Sequence, residues 1–177
     1  RQLQTELTRQ ATHDALTSLP NRVLILRKIS EALERSRTTR NTVAVLFIDL
    51  DKLKHVNDTI GHAVGDQLIV TIAQRLVAAT RPSDVVARIG GDEFVVLGEG
   101  LLDEHVSMEV ADRIRVSISG SLILQGVEIE SGASVGVALA TQEMLQTESS
   151  VDAAITLLRC ADTAMYRAKQ RGRGRCE

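Results

Sequence analysis

The sequence predicts an α+β domain with a ferredoxin-like βαββαβ core, an antiparallel central sheet flanked by helices. Three observations predict it. TVAVLFIDL (42–50) is a continuous β-branched and apolar run, as expected of a central strand buried on both faces. DVVARI (84–89) and DEFVVLG (92–98) enclose Gly90-Gly91, which reads as a hairpin with a two-glycine turn. Helical periodicity fills the intervals between these strands, with the helices placed on one face of the sheet.

In chain order, residues 1–12 are polar with Leu3, Leu7 and Ala11 four apart. That narrow stripe suits a connector helix leading in from an upstream module, or a frayed helix packed on its own domain. The chain opens without Met and in mid-helix pattern, and so reads as a segment of something longer, with the domain proper at 13–177. DALTSLPNR (14–22) is a turn interrupted by Pro20 and Asn21, followed by a helix over about 21–37. After the first strand a short helix at 52–59 meets a Gly61-His62 break. A longer helix then runs to Ala79, with Val64, Leu68, Ile72 and Leu76 on its buried face. A helix over 103–118, strands over 121–129 and 132–140 with Gly126 at a turn in the first, and a helix over 151–170 complete the prediction.

Composition excludes several classes. A chain of 177 residues that is 44% hydrophobic has material for one packed core and is not disordered. A net charge of -2 argues against non-specific nucleic-acid or membrane binding. Two Phe, one Tyr and no Trp leave little for a base-stacking platform. Cys160 and Cys176 lack disulfide or zinc spacing, and reduced thiols imply a cytoplasmic setting. The apolar runs are shorter than a bilayer span, so no direct membrane contact is expected.

The chemistry concentrates in carboxylates. Asp49 and Asp51 end the buried strand on one side, with Leu50 opposite. Asp92 and Glu93 open the strand after the glycine turn. If that hairpin pairs with the first strand, Asp92 approaches Asp49. Two carboxylates so placed repel unless a hard cation lies between them, and Mg²⁺ takes oxygen ligands with phosphates completing its shell. The glycines let a ligand come close to the backbone. Taken alone, one DxD more often caps a helix or solvates a turn.

RIGGDEFVVL carries the pentapeptide Gly90-Gly91-Asp92-Glu93-Phe94, and the chain resembles the GGDEF family of diguanylate cyclases. DALTSLPNR, FIDLDKLKHVNDTIGHAVGDQLI, SGASVGVALA and ADTAMYRAKQRGRGR are similar to that family's other motifs, in order, over 11–175. The resemblance implies a nucleotide-cyclase or polymerase-palm type of fold and the joining of two GTP into cyclic di-GMP with release of two pyrophosphates. It implies Mg²⁺ (or Mn²⁺) held by Asp49, the Leu50 carbonyl and Asp92, with Glu93 helping to activate the ribose 3′-hydroxyl. Asn57 and Asp66 match a guanine-reading pair. Lys54, Lys169 and Arg173 match a triphosphate grip beside Gly90 and Gly91, and Lys169 and Arg173 are expected four apart on one helix end. The bland alternatives are a first-turn acid for Asp66 and cations suiting a helix C-terminus, as expected for Arg171 and Arg175. Arg81-Pro82-Ser83-Asp84 resembles an RxxD inhibitory site for cyclic di-GMP, with Arg113 as a second arginine contact. Leu53 departs from the Phe common in the family. The resemblance further implies catalysis by a homodimer, an upstream sensory module and, in some members, a downstream EAL phosphodiesterase domain. A silent GGDEF module that binds GTP or cyclic di-GMP to regulate an attached domain is the alternative; such modules lose signature acids, and none is lost here.

Overall fold

A computed structural model describes residues 7, 9–101 and 103–177. The connector expectation over 1–12 lies outside the described residues at 1–6 and 8, while residues 9–12 are helical. The elements are α1 (Arg22–Thr39), β1 (Val43–Asp51), α2 (Leu53–Thr59), α3 (His62–Ala79), β2 (Val85–Gly90), β3 (Glu93–Glu99), α4 (Glu104–Ile118), β4 (Gly120–Leu124), β5 (Val127–Leu139), α5 (Gln142–Thr147) and α6 (Ser150–Gln170).

The five strands form one sheet in the order β2-β3-β1-β5-β4, and every pair is antiparallel. β1 is the central strand, and its residues 43–50 are all buried. Its alternation divides the core. Ala44, Leu46, Ile48 and Leu50 pack with α3 and α4, whereas Val43, Val45 and Phe47 pack with α1 and α6. Burying each such Val, Leu, Ile or Phe contributes roughly 1.5–3 kcal/mol. Helices therefore cover both faces. The expectation of one helical face holds only for the helices inside the βαββαβ core; the flanking helices α1 and α6 close the other.

Local chemistry sets the ends. Asn21 caps α1 by accepting the Val23 and Leu24 N–H groups, and Ser149 caps α6 by accepting from Asp152 N–H. Two boundaries differ from expectation. The last hairpin turns at Gln125 and Gly126, both with positive φ, so β4 stops at Leu124 and β5 runs unbroken from Val127 to Leu139. Gly132, expected near a strand boundary, lies within β5 opposite Asp51. The short α5, capped by Thr141, was not anticipated, because six residues carry too little periodicity to detect.

α6 lies backbone-close on β5. A Cβ added at Gly136 would stand 2.1 Å from the Ala161 carbonyl oxygen and 2.1 Å from the Met165 nitrogen. Backbone atoms of a helix do not yield as a side-chain tip does. Gly136→Ala is expected to lower unfolding free energy by about 3 kcal/mol, the upper end for overpacking, with an unchanged slope against urea concentration.

Candidate active site

β1 carries the acids to the C-terminal end of the central strand. Asp49 pairs in register with Glu93 of β3, and the Leu50 N–H donates to the Asp92 carbonyl at 3.0 Å. The hairpin thus stands beside β1 as expected, bringing Asp92 next to Asp49. Between β2 and β3 the register shifts at Arg88/Gly90, and Gly91 has φ of +51°. No atom lies within 4 Å of where a Cβ at Gly90 or Gly91 would be. This turn opens onto space, as a ligand-approach surface requires.

A cavity of about 530 Å³ forms at this strand end. Asp49, Leu50, Asp92, Lys54, Lys169 and Arg173 line it, so six of the expected residues share one space. Asp51 and Leu53 line it too, the latter buried as a packing position. Lys169 Nζ stands 2.7 Å from Asp49 Oδ2. Burial raises the Asp49 pKa above its ordinary value; the Lys169 hydrogen bond opposes this, and the charges of Asp92 and Asp51 add to it. Crowded, partly desolvated carboxylates are the donor set that a hard divalent ion relieves. Among the described residues no three His, Cys, Asp or Glu side chains are grouped to hold an ion alone. Two carboxylates and a carbonyl fit a magnesium-type ion only with phosphate or water oxygens completing the shell.

Glu93 faces a neighbouring cavity of about 410 Å³, which Arg22, Phe47, Arg159 and Asp162 also line. Burial raises its pKa, and the negative charges of Asp49, Asp162 and Asp92 raise it further against Lys169. Asn57 lies on α2 with its amide oxygen buried and without a protein partner. It packs against α3 where a Gly65 Cβ would stand only 1.8 Å from that oxygen. Asp66 follows on the exposed side of α3.

Some expectations need correction. α6 ends at Gln170, so Arg173 is not one helical turn beyond Lys169; it sits in the tail with φ of +61°. The two still reach one cavity. Arg171 and Arg175 do more than suit a helix end, standing 2.7 and 3.1 Å from the Glu177 carboxylate. Arg81 and Asp84 form a tight turn in which the Asp84 carboxylate accepts the Arg81 N–H at 2.9 Å, and both line a cavity of about 420 Å³. Arg113 lines a different cavity, beside the C-terminal tail.

Sequence reasoning assigned no role to Arg88 or Asp14. The Arg88 guanidinium donates to both Asp14 oxygens at 2.9 and 3.1 Å, and to the Gly91 carbonyl at 3.2 and 2.9 Å. It therefore ties the glycine turn to the segment ahead of α1. The available signal was an arginine two residues before Gly90 and an acid in DALTSLPNR, but no spacing rule links them.

A ferredoxin-like sheet with paired acids, cations and an open glycine turn at one strand end offers the donors that a phosphorylated ligand and a divalent ion would need. Residues 11–175 match the family described as "Diguanylate cyclase, GGDEF domain". The diguanylate cyclase TpbB of Pseudomonas aeruginosa is 41% identical over 169 residues, which are 95% of this chain and 37% of TpbB. The bifunctional diguanylate cyclase/cyclic di-GMP phosphodiesterase MucR of the same organism is 39% identical over 168 residues, 95% of this chain and 23% of MucR. Among solved structures, the GGDEF domain of TpbB superposes with a TM-score of 0.83 at 40% identity, covering 93% of this chain and 92% of that one. The GGDEF domain of DgcB from Caulobacter crescentus, in complex with cyclic di-GMP, gives 0.83 at 29% identity, with 94% of each chain covered. The chain belongs to the diguanylate cyclase GGDEF-domain family, and it spans about a third of TpbB's length.

The Asp14–Arg88 pair yields a stability prediction. Burial opposes ionisation of Asp14, but hydrogen bonds from Thr17 and Arg88 prevail and lower its pKa. Their side chains are only 20% and 10% exposed, so Asp14→Asn is expected to destabilise the domain by about 2–3 kcal/mol at neutral pH. A lowered carboxylate pKa contributes stability that is full above the unfolded value, ~3.9, and is lost as pH falls through the native value. Urea unfolding at pH 7 and at roughly pH 2.5 should show the wild-type advantage shrinking in acid.

Proposed function

We propose that this domain is a diguanylate cyclase, condensing two GTP into cyclic di-GMP and two pyrophosphates across the interface of two copies. The observation that carries the reading is the shared cavity at the end of β1, where Asp49, the Leu50 backbone and Asp92 face Lys54, Lys169 and Arg173. Acids for a metal and cations for phosphates meet there in one space.

The cations hold the triphosphate: Lys54 from α2, Lys169 from the end of α6 and Arg173 from the tail. Lys169, 2.7 Å from Asp49, exchanges that partner for a phosphate oxygen when GTP binds. Asp49, the Leu50 carbonyl and Asp92 would hold Mg²⁺ or Mn²⁺, which supplies neutralisation of the charge that builds on the reacting phosphate. Asn57 and Asp66 read guanine. The buried Asn57 amide has a polar atom without a partner, which costs about 1–3 kcal/mol until a ligand satisfies it. Asp66 accepts the N–H donors of guanine's base-pairing edge, which adenine does not present as a pair.

In the reaction the 3′-hydroxyl oxygen of one GTP attacks the α-phosphorus of the other, and the bond to the bridging oxygen of pyrophosphate breaks. Glu93, its basicity raised by burial and neighbouring acids, accepts the hydroxyl proton. Each domain holds one GTP, so two must face each other and ring closure repeats the step. The solved structure of the DgcB coiled coil with its GGDEF domain supports an upstream helical device that brings copies together, for which residues 1–12 are the natural connector. The remaining domain, 13–177, is the catalytic unit, and an upstream sensory module would set its output; a downstream EAL domain is a feature of some members of the family. A cytoplasmic setting follows from this reading, since GTP is a cytoplasmic nucleotide. Arg81 and Asp84 bind cyclic di-GMP as product inhibitor, and Arg113, on α4 at a separate cavity, would be a second contact only to a ligand that reaches beyond the first cavity.

With dimerisation forced by a fused coiled coil, the domain plus GTP and Mg²⁺ should yield cyclic di-GMP on chromatography. Asp92→Ala should cut that yield by more than about a hundred-fold. GTP binding without product in the forced dimer would favour a silent regulatory module instead. Arg81→Ala should raise the cyclic di-GMP concentration for half-inhibition at least about ten-fold, the worth of one charge-assisted contact. Unchanged inhibition would reject the site.

A further inference from the structure

Asp51 ends β1 on the same face as Asp49, yet its carboxylate is already engaged. Ser134 Oγ, on fully buried Ser134 of β5, donates to Asp51 Oδ1 at 3.1 Å, and the Gly174 N–H donates to Oδ2 at 3.2 Å. Arg173 Nε stands 3.8 Å from Oδ1. The side chain is 8% exposed, so these contacts hold a nearly enclosed carboxylate. The site's second strand-end acid is thus spent on the chain that follows α6.

That tail needs holding. Gly172, Arg173 and Gly174 take φ values of +118°, +61° and +59°, and a non-glycine residue in the left-handed region costs about 1 kcal/mol or more. Beyond them the tail lies parallel to the free edge of β5. Val135 N–H donates to the Arg175 carbonyl at 2.9 Å, Glu177 N–H to the Val135 carbonyl at 3.0 Å, and Val137 N–H to the Glu177 carbonyl at 2.8 Å. Upstream, the Arg173 N–H donates to the Ala168 carbonyl at 3.1 Å. Arg173 therefore sits on a strained bend between two fixed ends, with Asp51 fastening the bend itself. Its own side chain is 64% exposed and lines the cavity, so the backbone bend, with the 3.8 Å approach of Nε to Asp51, sets where the guanidinium points.

We propose that Asp51 is a positioning residue: through Gly174 and Ser134 it locks the post-helix bend that presents the Arg173 guanidinium to the polyphosphate of the bound nucleotide. The inference rests on the proposed GTP site. Asp51 itself ligates no ion and touches no substrate in this role.

The test is nucleotide binding with Mg²⁺, comparing GTP with GMP, which has only the α-phosphate. Arg173→Ala and Asp51→Ala should each weaken GTP binding about ten-fold and leave GMP binding within about two-fold, and the double variant should be no worse than Arg173→Ala by more than about two-fold. Asp51→Asn, which keeps an acceptor for the Gly174 N–H, should recover most of the GTP affinity and guards against a misfolded Asp51→Ala. Equal loss of GTP and GMP, full additivity in the double variant, or unchanged GTP binding in both Asp51 variants would overturn the proposal while leaving the GTP site intact. GTP binding indifferent to Arg173 would overturn the triphosphate grip and this proposal with it.

Discussion

The pairing of β1 with β3, Asp49 opposite Glu93, is the constraint on which the site depends. Side chains alternate faces along a strand, so a slip of one residue would send Asp49 and Asp51 among Leu68 and Ile72 and expose Ile48 and Leu50. The apolar content of β1 forbids that slip, because residues 43–48 are buried on both faces and neither set can exchange environments without loss. The same hydrophobic effect that fixes the sheet thereby fixes the separation of the acids. The Leu50 N–H to Asp92 carbonyl bond extends the register one step past the last strand pair and pins the turn as well.

The price of this arrangement is electrostatic. Asp49, Asp92 and Glu93 stand close together at a partly buried strand end, and the pKa values of Asp49 and Glu93 rise in response. Lys169 offsets part of that strain at 2.7 Å from Asp49. One ammonium thus neutralises part of a carboxylate cluster that the strand end holds together. The site's preorganisation comes from the sheet and from α6, seated against β5 without an intervening side chain at Gly136.

Much of this was legible in the sequence because it is local. The central strand, the glycine hairpin and the acids at their ends follow from periodicity and turn chemistry, and the motif order gave the family. The failures are non-local. Sequence put the core helices on one face, as found, but did not say that α1 and α6 would cover the other, because nothing in either states which side of the sheet it will meet. It divided the last hairpin near Gly132, where the strand in fact continues past Asp51, since a glycine marks either a turn or a close neighbour. It joined Lys169 and Arg173 by helical spacing, although the helix stops between them. Arg88 and Asp14 were missed because they meet each other across 74 residues, on separate segments.

Arg88 also binds the segment ahead of α1 to the glycine turn. One planar guanidinium spans the Asp14 carboxylate and the Gly91 carbonyl, using donors on all of its nitrogens. An ammonium has no such fork, so lysine cannot bridge both partners at once. Trimming the chain to the first helix of the α/β body would strand a cation that is 90% enclosed, with its counter-ion deleted. The residues ahead of α1 are therefore a lintel over the glycine turn, tied to it by a buried ion pair.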